Sequence, residues 1–453
     1  MFSTKEIAKI TGGELIGGSV RVRSVSTDTR TLEKGALFIA VKGERFDGND
    51  YIRQAAESGA AAAVSDLAPG TVKTAIPVIY VKNSRTAQLK LARHYRDKFD
   101  IKLCGVTGSV GKTSTKDMIS AVLSAKYSTL KTEGNLNNDI GLPKTLFRLD
   151  KSAEAAVIEM GMSDRGEISA LSTAAHPTCA VITNIGFCHI ENLKTRENIL
   201  AAKLEILDGM DADAPLIVYG GDEYLGKLMA EDVGGRRLIR YGLTDGCDVR
   251  AEDISQDENG GKFTLRYGEK SYKAAVPVVG EHHILNALAA FCTGIEFGLA
   301  PEEIIPAFMN YEGSGMRQKL EQRENNIRVI LDCYNASPTS MRSALSVLGA
   351  VRTEGKGRHI AVLGDMLELG EQSPALHAGL ADAVTEHADI AFLYGREMTE
   401  LRDELTKRKA KVFHSENKQE LTELLLSKIK SGDVILFKGS RGMKMEEIAE
   451  KIK

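Results

Sequence analysis

The stretch IKLCGVTGSVGKTSTKDMIS, residues 101–120, decides how the sequence around it must fold. Its glycine-rich part ends in Gly111-Lys112-Thr113, the signature of a loop that wraps nucleotide phosphates. The usual spacing G-x-x-x-x-G-K-[ST] wants a glycine at position 106, where Val106 stands; the glycines fall at Gly105, Gly108 and Gly111. IKLCGV supplies an apolar strand before the loop. KTSTKDMISAVLSA supplies a helix after it, with Met118, Ile119, Val122 and Leu123 on one face. The bland alternative is a glycine-rich turn with an incidental lysine, and strand, loop and helix together outweigh it. The loop residues Thr107, Gly108, Ser109, Val110, Gly111, Lys112, Thr113 and Ser114 are therefore expected to cradle phosphate with backbone N–H groups at a helix N-terminus. Lys112 is expected on the β- and γ-phosphates and the Thr113 hydroxyl on Mg²⁺.

Outward from this loop, apolar strands alternate with helices: EAAVIEMGM (154–162), TCAVITNIG (178–186) and PLIVYG (215–220). The alternation predicts a parallel sheet with helices on both faces. Residues 248–279 turn to short alternating strands, an antiparallel extension, followed by helices at HHILNALAAFCTGIEFG and PEEIIPAFMN. Upstream, residues 1–84 hold short strands (VRVRSVSTDTR, GALFIAV, AAAVSD, PVIYV) around the helical pattern DGNDYIRQAAESGA. A polar helix, NSRTAQLKLARHYRDKF, leads out of that unit. Downstream, the glycine-rich YEGSGMRQKL (311–320) reads as a hinge. Alternation then resumes with RVILDCY, RHIAVLG, DIAFLYG, KVFHS and DVILFKG. The predicted fold class is α/β in three domains: a small α/β domain (1–84), a central phosphate-loop parallel-sheet domain (85–313), and a C-terminal Rossmann-like doubly wound domain (314–453).

Composition narrows the function classes. The 453 residues are 43% hydrophobic and 27% charged, the balance of a globular chain of several domains. A net charge of -3 argues against a nucleic-acid partner. No apolar run is long enough for membrane insertion, and the N-terminus lacks a basic region followed by an apolar one, so a cytoplasmic protein is expected. The six cysteines are scattered without a C-x-x-C pair, which predicts core thiols rather than disulfides or zinc. A guanine-reading Asn-Lys-x-Asp is absent, and the strand EAAVIEMGM carries the single carboxylate Glu159 where a motor ATPase would usually show two.

The sequence resembles the Mur ligases and folylpolyglutamate synthetases at this point. GVTGSVGKTST is similar to their G-x-T-G-T-x-G-K-T. TEGNLNNDIGLP (132–143), EMGM (159–162), TNIGFCHIE (183–191), AAKLEI (201–206), GEHHILNALAA (280–290), GMRQK (315–319) and DCYNASP (332–338) follow in the family's order. STDTR (26–30), VLGDMLELGEQSPALH (362–377) and LFKGSRGMKME (436–446) resemble the branch that adds D-alanyl-D-alanine to UDP-N-acetylmuramoyl-tripeptide. The Asp-Asn-Pro-Arg signature of the sibling that adds the third residue is absent.

The resemblance implies an ADP-forming amide ligase that activates a carboxylate as an acyl phosphate. Its substrates would be UDP-N-acetylmuramoyl-tripeptide and D-Ala-D-Ala, and the enzyme would be a monomer. It implies ATP and two Mg²⁺ sites drawing on Thr113, Glu159, His189 and Lys203, with a CO₂-derived carbamate on Lys203; Lys112, Glu159, His189 and Lys203 form the catalytic set. Asn286 would sit on the adenine side, Arg317 on phosphate and Asp332 near the ribose. The family commonly has asparagine where this chain has His283, and no role is carried over to that residue. Ser26, Thr27, Asp28, Thr29, Arg30, Phe46, Asp47 and Gly48 would hold the UDP-sugar. Asn135, Asn137 and Asn138, in the family's T-x-G-N-x-N segment, would bind substrate. Asn335, with Leu367 and the LFKGSRG loop, is the place expected for the dipeptide. Taken blindly, Lys203 is a helix-surface lysine, His189 a loop histidine, and Arg317 a surface ion-pairing residue.

Overall fold

The structure is a computed structural model that describes every residue of the chain except Glu44, Arg45, Ser314 and Met316. Arg45 of the RFDGND loop, and Ser314 and Met316 of the glycine-rich hinge segment, thus lie outside the described residues. Three α/β sheet systems follow one another along the chain. A five-stranded sheet, with a two-stranded pair beside it in sequence, is built from residues 2–80. A nine-stranded sheet is built from residues 102–276 and a six-stranded sheet from residues 319–438. The three-domain α/β architecture expected from the sequence is present.

Two compact units divide the chain: residues 1–105, 127–180 and 205–214 form the first, and residues 106–126, 181–204 and 215–453 form the second. In the first, the helix Thr4–Thr11 begins at a capping box. The Ser3 hydroxyl accepts the Glu6 N–H, and the Ser3 N–H reaches the Glu6 carboxylate. Gly12, at φ 70°, ends it in a left-handed turn. The strands Leu37–Ile39, Ala62–Ser65 and Val78–Tyr80 run parallel, and every residue in them is buried. Continuous apolar strands of this kind are what a sheet covered on both faces requires. Phe2, Ile7, Leu37, Ile79 and Leu91 fill the core on one side, and Phe38, Ile52 and Tyr80 on the other. Asn83 caps the helix Ser84–Arg96. The strand Ala155–Glu159, also buried throughout, pairs in parallel with Thr129–Lys131.

In the second unit, Leu216–Tyr219, Leu238–Gly242 and the start of Val249–Asp257 are parallel. Gly260–Tyr267 and Lys270–Val276 then continue antiparallel, the extension read from alternation in the sequence. The C-terminal sheet runs in the order Lys319–Gln322, Arg328–Asp332, Val434–Lys438, His359–Gly364, Ile390–Tyr394, Val412–Ser415. Its last five strands are parallel and its first is antiparallel. That first strand lies partly in the segment read as a hinge. Its alternating charges hide it from hydrophobic patterning, because an edge strand buries little. Among the described residues no helix is long and apolar enough to cross a membrane. All six cysteines are free, but only Cys104, Cys179, Cys292 and Cys333 are buried; Cys188 and Cys247 are half-buried in loops, so these two are not core thiols.

Candidate active site

In the second unit, the phosphate loop leads from its strand to the helix Lys112–Leu123, which begins at Gly111 in a left-handed conformation, φ 85°. Gly108 has φ 148°, and a Cβ built there would stand 1.9 Å from Thr183 Oγ1, so no larger residue fits. The loop is braced from the end of the neighbouring strand Cys179–Ile182. Thr183 Oγ1 donates to the Val110 carbonyl at 2.6 Å, Asn184 Nδ2 donates to the same oxygen at 2.9 Å, and Asn184 Oδ1 accepts the Val110 N–H at 3.0 Å. The Ser109 hydroxyl accepts the Gly186 N–H at 2.9 Å. Thr113 and Ser114 are buried. Lys112 folds back over the loop, its Nζ donating to the Gly108 carbonyl at 2.9 Å.

Lys203 belongs to the helix Arg196–Leu204 and is 2% exposed. It is no snorkelling surface lysine. Burial, and then the Lys112 charge, lower its pKa to about 7. His189, at φ 60°, is half-buried and lies 2.8 Å through Nδ1 from Glu368 Oε2. Burial lowers its pKa, with Glu368 opposing and Lys112 and Lys203 reinforcing. Glu368 itself has φ 64°, and its loop is held by others: Met366 N–H donates to His377 Nε2 at 3.0 Å and Leu367 N–H to Ser440 Oγ at 2.8 Å.

Asn286, on the helix Glu281–Glu296, accepts a hydrogen bond from Thr115 Oγ1 at 2.8 Å, and its Nδ2 is buried with no hydrogen-bond partner among the described residues. One helical turn earlier, His282 and His283 place their Nε2 atoms 2.9 and 3.0 Å from a single oxygen, Gln318 Oε1. Both rings are thereby held by one amide. His283 thus acquires a structural role. Burial and the neighbouring His282 hold its pKa well below the ordinary histidine value. Arg317 rests over the Tyr334 ring, 4.3 Å from its centre. Asp332 is bound to Lys438 at 2.7 Å. Asn335 is exposed, its carbonyl accepting from Lys438 Nζ at 2.9 Å.

In the first unit, Glu159 ends its strand, 1% exposed. Thr132 Oγ1 accepts its backbone N–H at 3.0 Å, and Asn137 Nδ2 donates to Oε1 at 2.9 Å. Oε2 is buried and has no hydrogen-bond partner among the described residues. Gly161 lets the Asn137 amide approach: a Cβ there would lie 3.1 Å from it. Asn138 caps the turn to Gly141 at 2.8 Å, and Asn135 is exposed.

The N-terminal loops of this unit are ordered by their own polar groups. Arg30 Nη2 reaches Asp28 Oδ2 at 2.6 Å, holding that carboxyl down to about 2. The Ser26 hydroxyl accepts the Asp28 N–H at 3.1 Å. Asp47 accepts from the Asn49 N–H at 2.9 Å, and Gly48 approaches Val41 so closely that a Cβ would sit 2.6 Å from its nitrogen. Phe46 is 62% exposed.

Among the described residues, no three of the His, Cys, Asp and Glu side chains form a ligand cluster. Sequence reasoning gave no individual role to Thr132, Thr183, Asn184, Gln318 or Glu368, although each lies in a motif quoted above, and it placed Lys438 only within the LFKGSRG loop expected for the dipeptide.

Comparison with known proteins agrees in every part of the chain. Residues 21–96 match the Mur ligase family catalytic domain, 106–294 the Mur ligase middle domain, and 316–441 the Mur ligase glutamate ligase domain. A UDP-N-acetylmuramoyl-tripeptide–D-alanyl-D-alanine ligase of Bacillus subtilis is 40% identical, covering 99% of this chain and 97% of its own. A crystal structure of MurF from Acinetobacter baumannii superposes with a TM-score of 0.91 at 30% identity, covering 99% and 98%. MurF from Thermotoga maritima in complex with ADP gives 0.83 at 28% identity, covering 95% and 96%. With family segments matching residues 21–96, 106–294 and 316–441 and a relative 40% identical over 99% of it, the chain belongs to the Mur ligases.

Proposed function

We propose that the chain is an ATP-dependent, ADP-forming ligase that joins D-alanyl-D-alanine to UDP-N-acetylmuramoyl-tripeptide in the cytoplasm, acting as a monomer. The observation that carries this is the correspondence over 99% of the chain with a protein of that activity. Residues 1–84 take the UDP-sugar, through Ser26, Thr27, Asp28, Thr29, Arg30, Phe46, Asp47 and Gly48. Residues 85–313 take ATP, and residues 314–453 bring the amine.

In the proposed reaction the tripeptide carboxylate attacks the γ-phosphorus of ATP and ADP leaves. The dipeptide amine then attacks the acyl carbon, phosphate departs, and the amine loses a proton. Lys112 turns from the loop carbonyls to the phosphate oxygens, and the loop N–H groups at the start of the following helix, beyond those of Ser109 and Val110 that Asn184 holds, bind the rest. Arg317 leaves Tyr334 for phosphate, Asp332 binds the ribose and Asn286 the adenine through Nδ2. Asn135, Asn137 and Asn138 line the carboxylate side, and Asn335 the dipeptide.

The donor chemistry fits Mg²⁺. Glu159 offers a buried carboxylate oxygen without a hydrogen-bond partner among the described residues, a hard donor, and Thr113 a buried hydroxyl. His189 would join this set. When bound, Mg²⁺ neutralises charge on the transferring phosphoryl oxygens. A carbamate on Lys203 fits as well. The amine is fully buried, with a pKa near 7 that makes its neutral form available to CO₂, and a second Mg²⁺ site would use the resulting anion.

Phosphate release by the purified enzyme, with UDP-N-acetylmuramoyl-tripeptide and with or without D-Ala-D-Ala, tests the assignment. Release is expected only with both substrates. Release with neither, or release stimulated by a protein partner, would overturn it in favour of a nucleotide switch.

A further inference from the structure

Lys438 is 1% exposed and ends the strand Val434–Lys438. Its neighbour strand Arg328–Asp332 runs parallel and in register, so that Asp332 and Lys438 are paired residues at the carboxyl ends of two adjacent strands. Open α/β sheets bind their ligands at such ends. Lys438 Nζ donates to Asp332 Oδ2 at 2.7 Å and to the Asn335 carbonyl at 2.9 Å. It thereby ties down both ends of the turn that leaves the strand. Two residues on, Ser337 caps the helix Pro338–Ala350.

A buried ion pair is a poor stabilising device, because apolar residues of similar volume usually serve a core as well. The residues around Lys438 in its own strand, Val434, Ile435, Leu436 and Phe437, are apolar and buried, as this core demands. The lysine is the exception, and it stands where a ligand-facing carboxylate must be aimed. We propose that Lys438 is a positioning residue for nucleotide binding, fixing Asp332 through Oδ2 so that Oδ1 is left for the ribose hydroxyls. This rests on the assignment of Asp332 to the ribose under the ligase function above.

The test is ADP binding with Mg²⁺ by titration calorimetry, on the full-length enzyme, with steady-state KM values for each substrate beside it. Lys438→Met is expected to weaken ADP roughly 10- to 100-fold, the loss of a charge-assisted hydrogen bond. KM for the UDP-sugar tripeptide should stay unchanged. Lys438→Arg should recover part of the loss. Because Lys438→Met strands a buried carboxylate, the pair Asp332→Asn and Asp332→Asn/Lys438→Met keeps the test open should the single variant fail to fold. If Lys438 acts through Asp332, these two bind ADP equally. A further tenfold loss in the double variant, or unchanged ADP affinity in Lys438→Met, overturns the inference. Should the unaltered enzyme bind ADP yet form no product from both substrates, the ligase assignment fails while the calorimetry still decides the role of Lys438.

Discussion

Asn137 Nδ2 donates to Oε1 of Glu159 at 2.9 Å, while Oε2 of the same carboxylate is buried without a hydrogen-bond partner among the described residues. The asparagine orients the acid, and the open oxygen is a place for a cation. Asn137→Ala should raise the Mg²⁺ concentration needed for half-maximal activity by roughly 10- to 100-fold, as loss of a ligand-orienting contact does elsewhere. Product formation titrated against Mg²⁺ measures this, and an unshifted midpoint would show that Asn137 does not serve the metal.

Gly108 meets Thr183 where a methyl group cannot go. Gly108→Ala should cost about 1–3 kcal/mol in stability from the crowding alone. It should also abolish measurable ADP binding by displacing the loop. Thermal melting with and without ADP reads both, and an ADP-induced upshift equal to that of the unaltered enzyme would refute the expectation.

Lys203→Ala should lower kcat by roughly 10²–10³-fold, the scale for removing one electrostatic group from a phosphoryl-transfer site. Short carboxylic acids added to the assay should restore part of it by filling the carbamate's place. Full activity without rescue, or no rescue at all, counts against carbamylation.

Arg30 holds the Asp28 carboxyl down to about 2. Depressing a carboxyl in the folded state adds stability above its unfolded value near 3.9, and that stability is lost as pH falls from there through about 2. Both groups face solvent, so the energetic effect is small. The titration is nonetheless visible: in Arg30→Met, the Asp28 carboxyl followed by NMR should return toward the ordinary carboxylate range. A midpoint still near 2 would assign the depression to another cause.

Much of the chain was legible because its information is local. The β-α alternation, the antiparallel turn of residues 248–279 and the strand–loop–helix around Gly111-Lys112-Thr113 all follow from periodicity and glycine placement, which need no partner to be read. The edge strand Lys319–Gln322 escaped because half-exposed edges carry no apolar pattern. Lys203 could be taken for a surface lysine, since nothing in NILAAKLEILDGM reveals which helix face is covered.

By itself, then, the sequence determined a three-part α/β chain with a phosphate loop of Mur ligase spacing, because backbone conformation and β-α alternation answer to neighbours a few residues away. Tertiary structure alone decided which polar groups are paired and which are left open. His189 meets Glu368, two imidazoles share Gln318, Lys438 secures Asp332, and Glu159 keeps one oxygen without a partner among the described residues. Contacts such as Lys438 with Asp332 join residues 106 positions apart, and only folding brings such groups into hydrogen-bond range and strips away the water that would otherwise satisfy them.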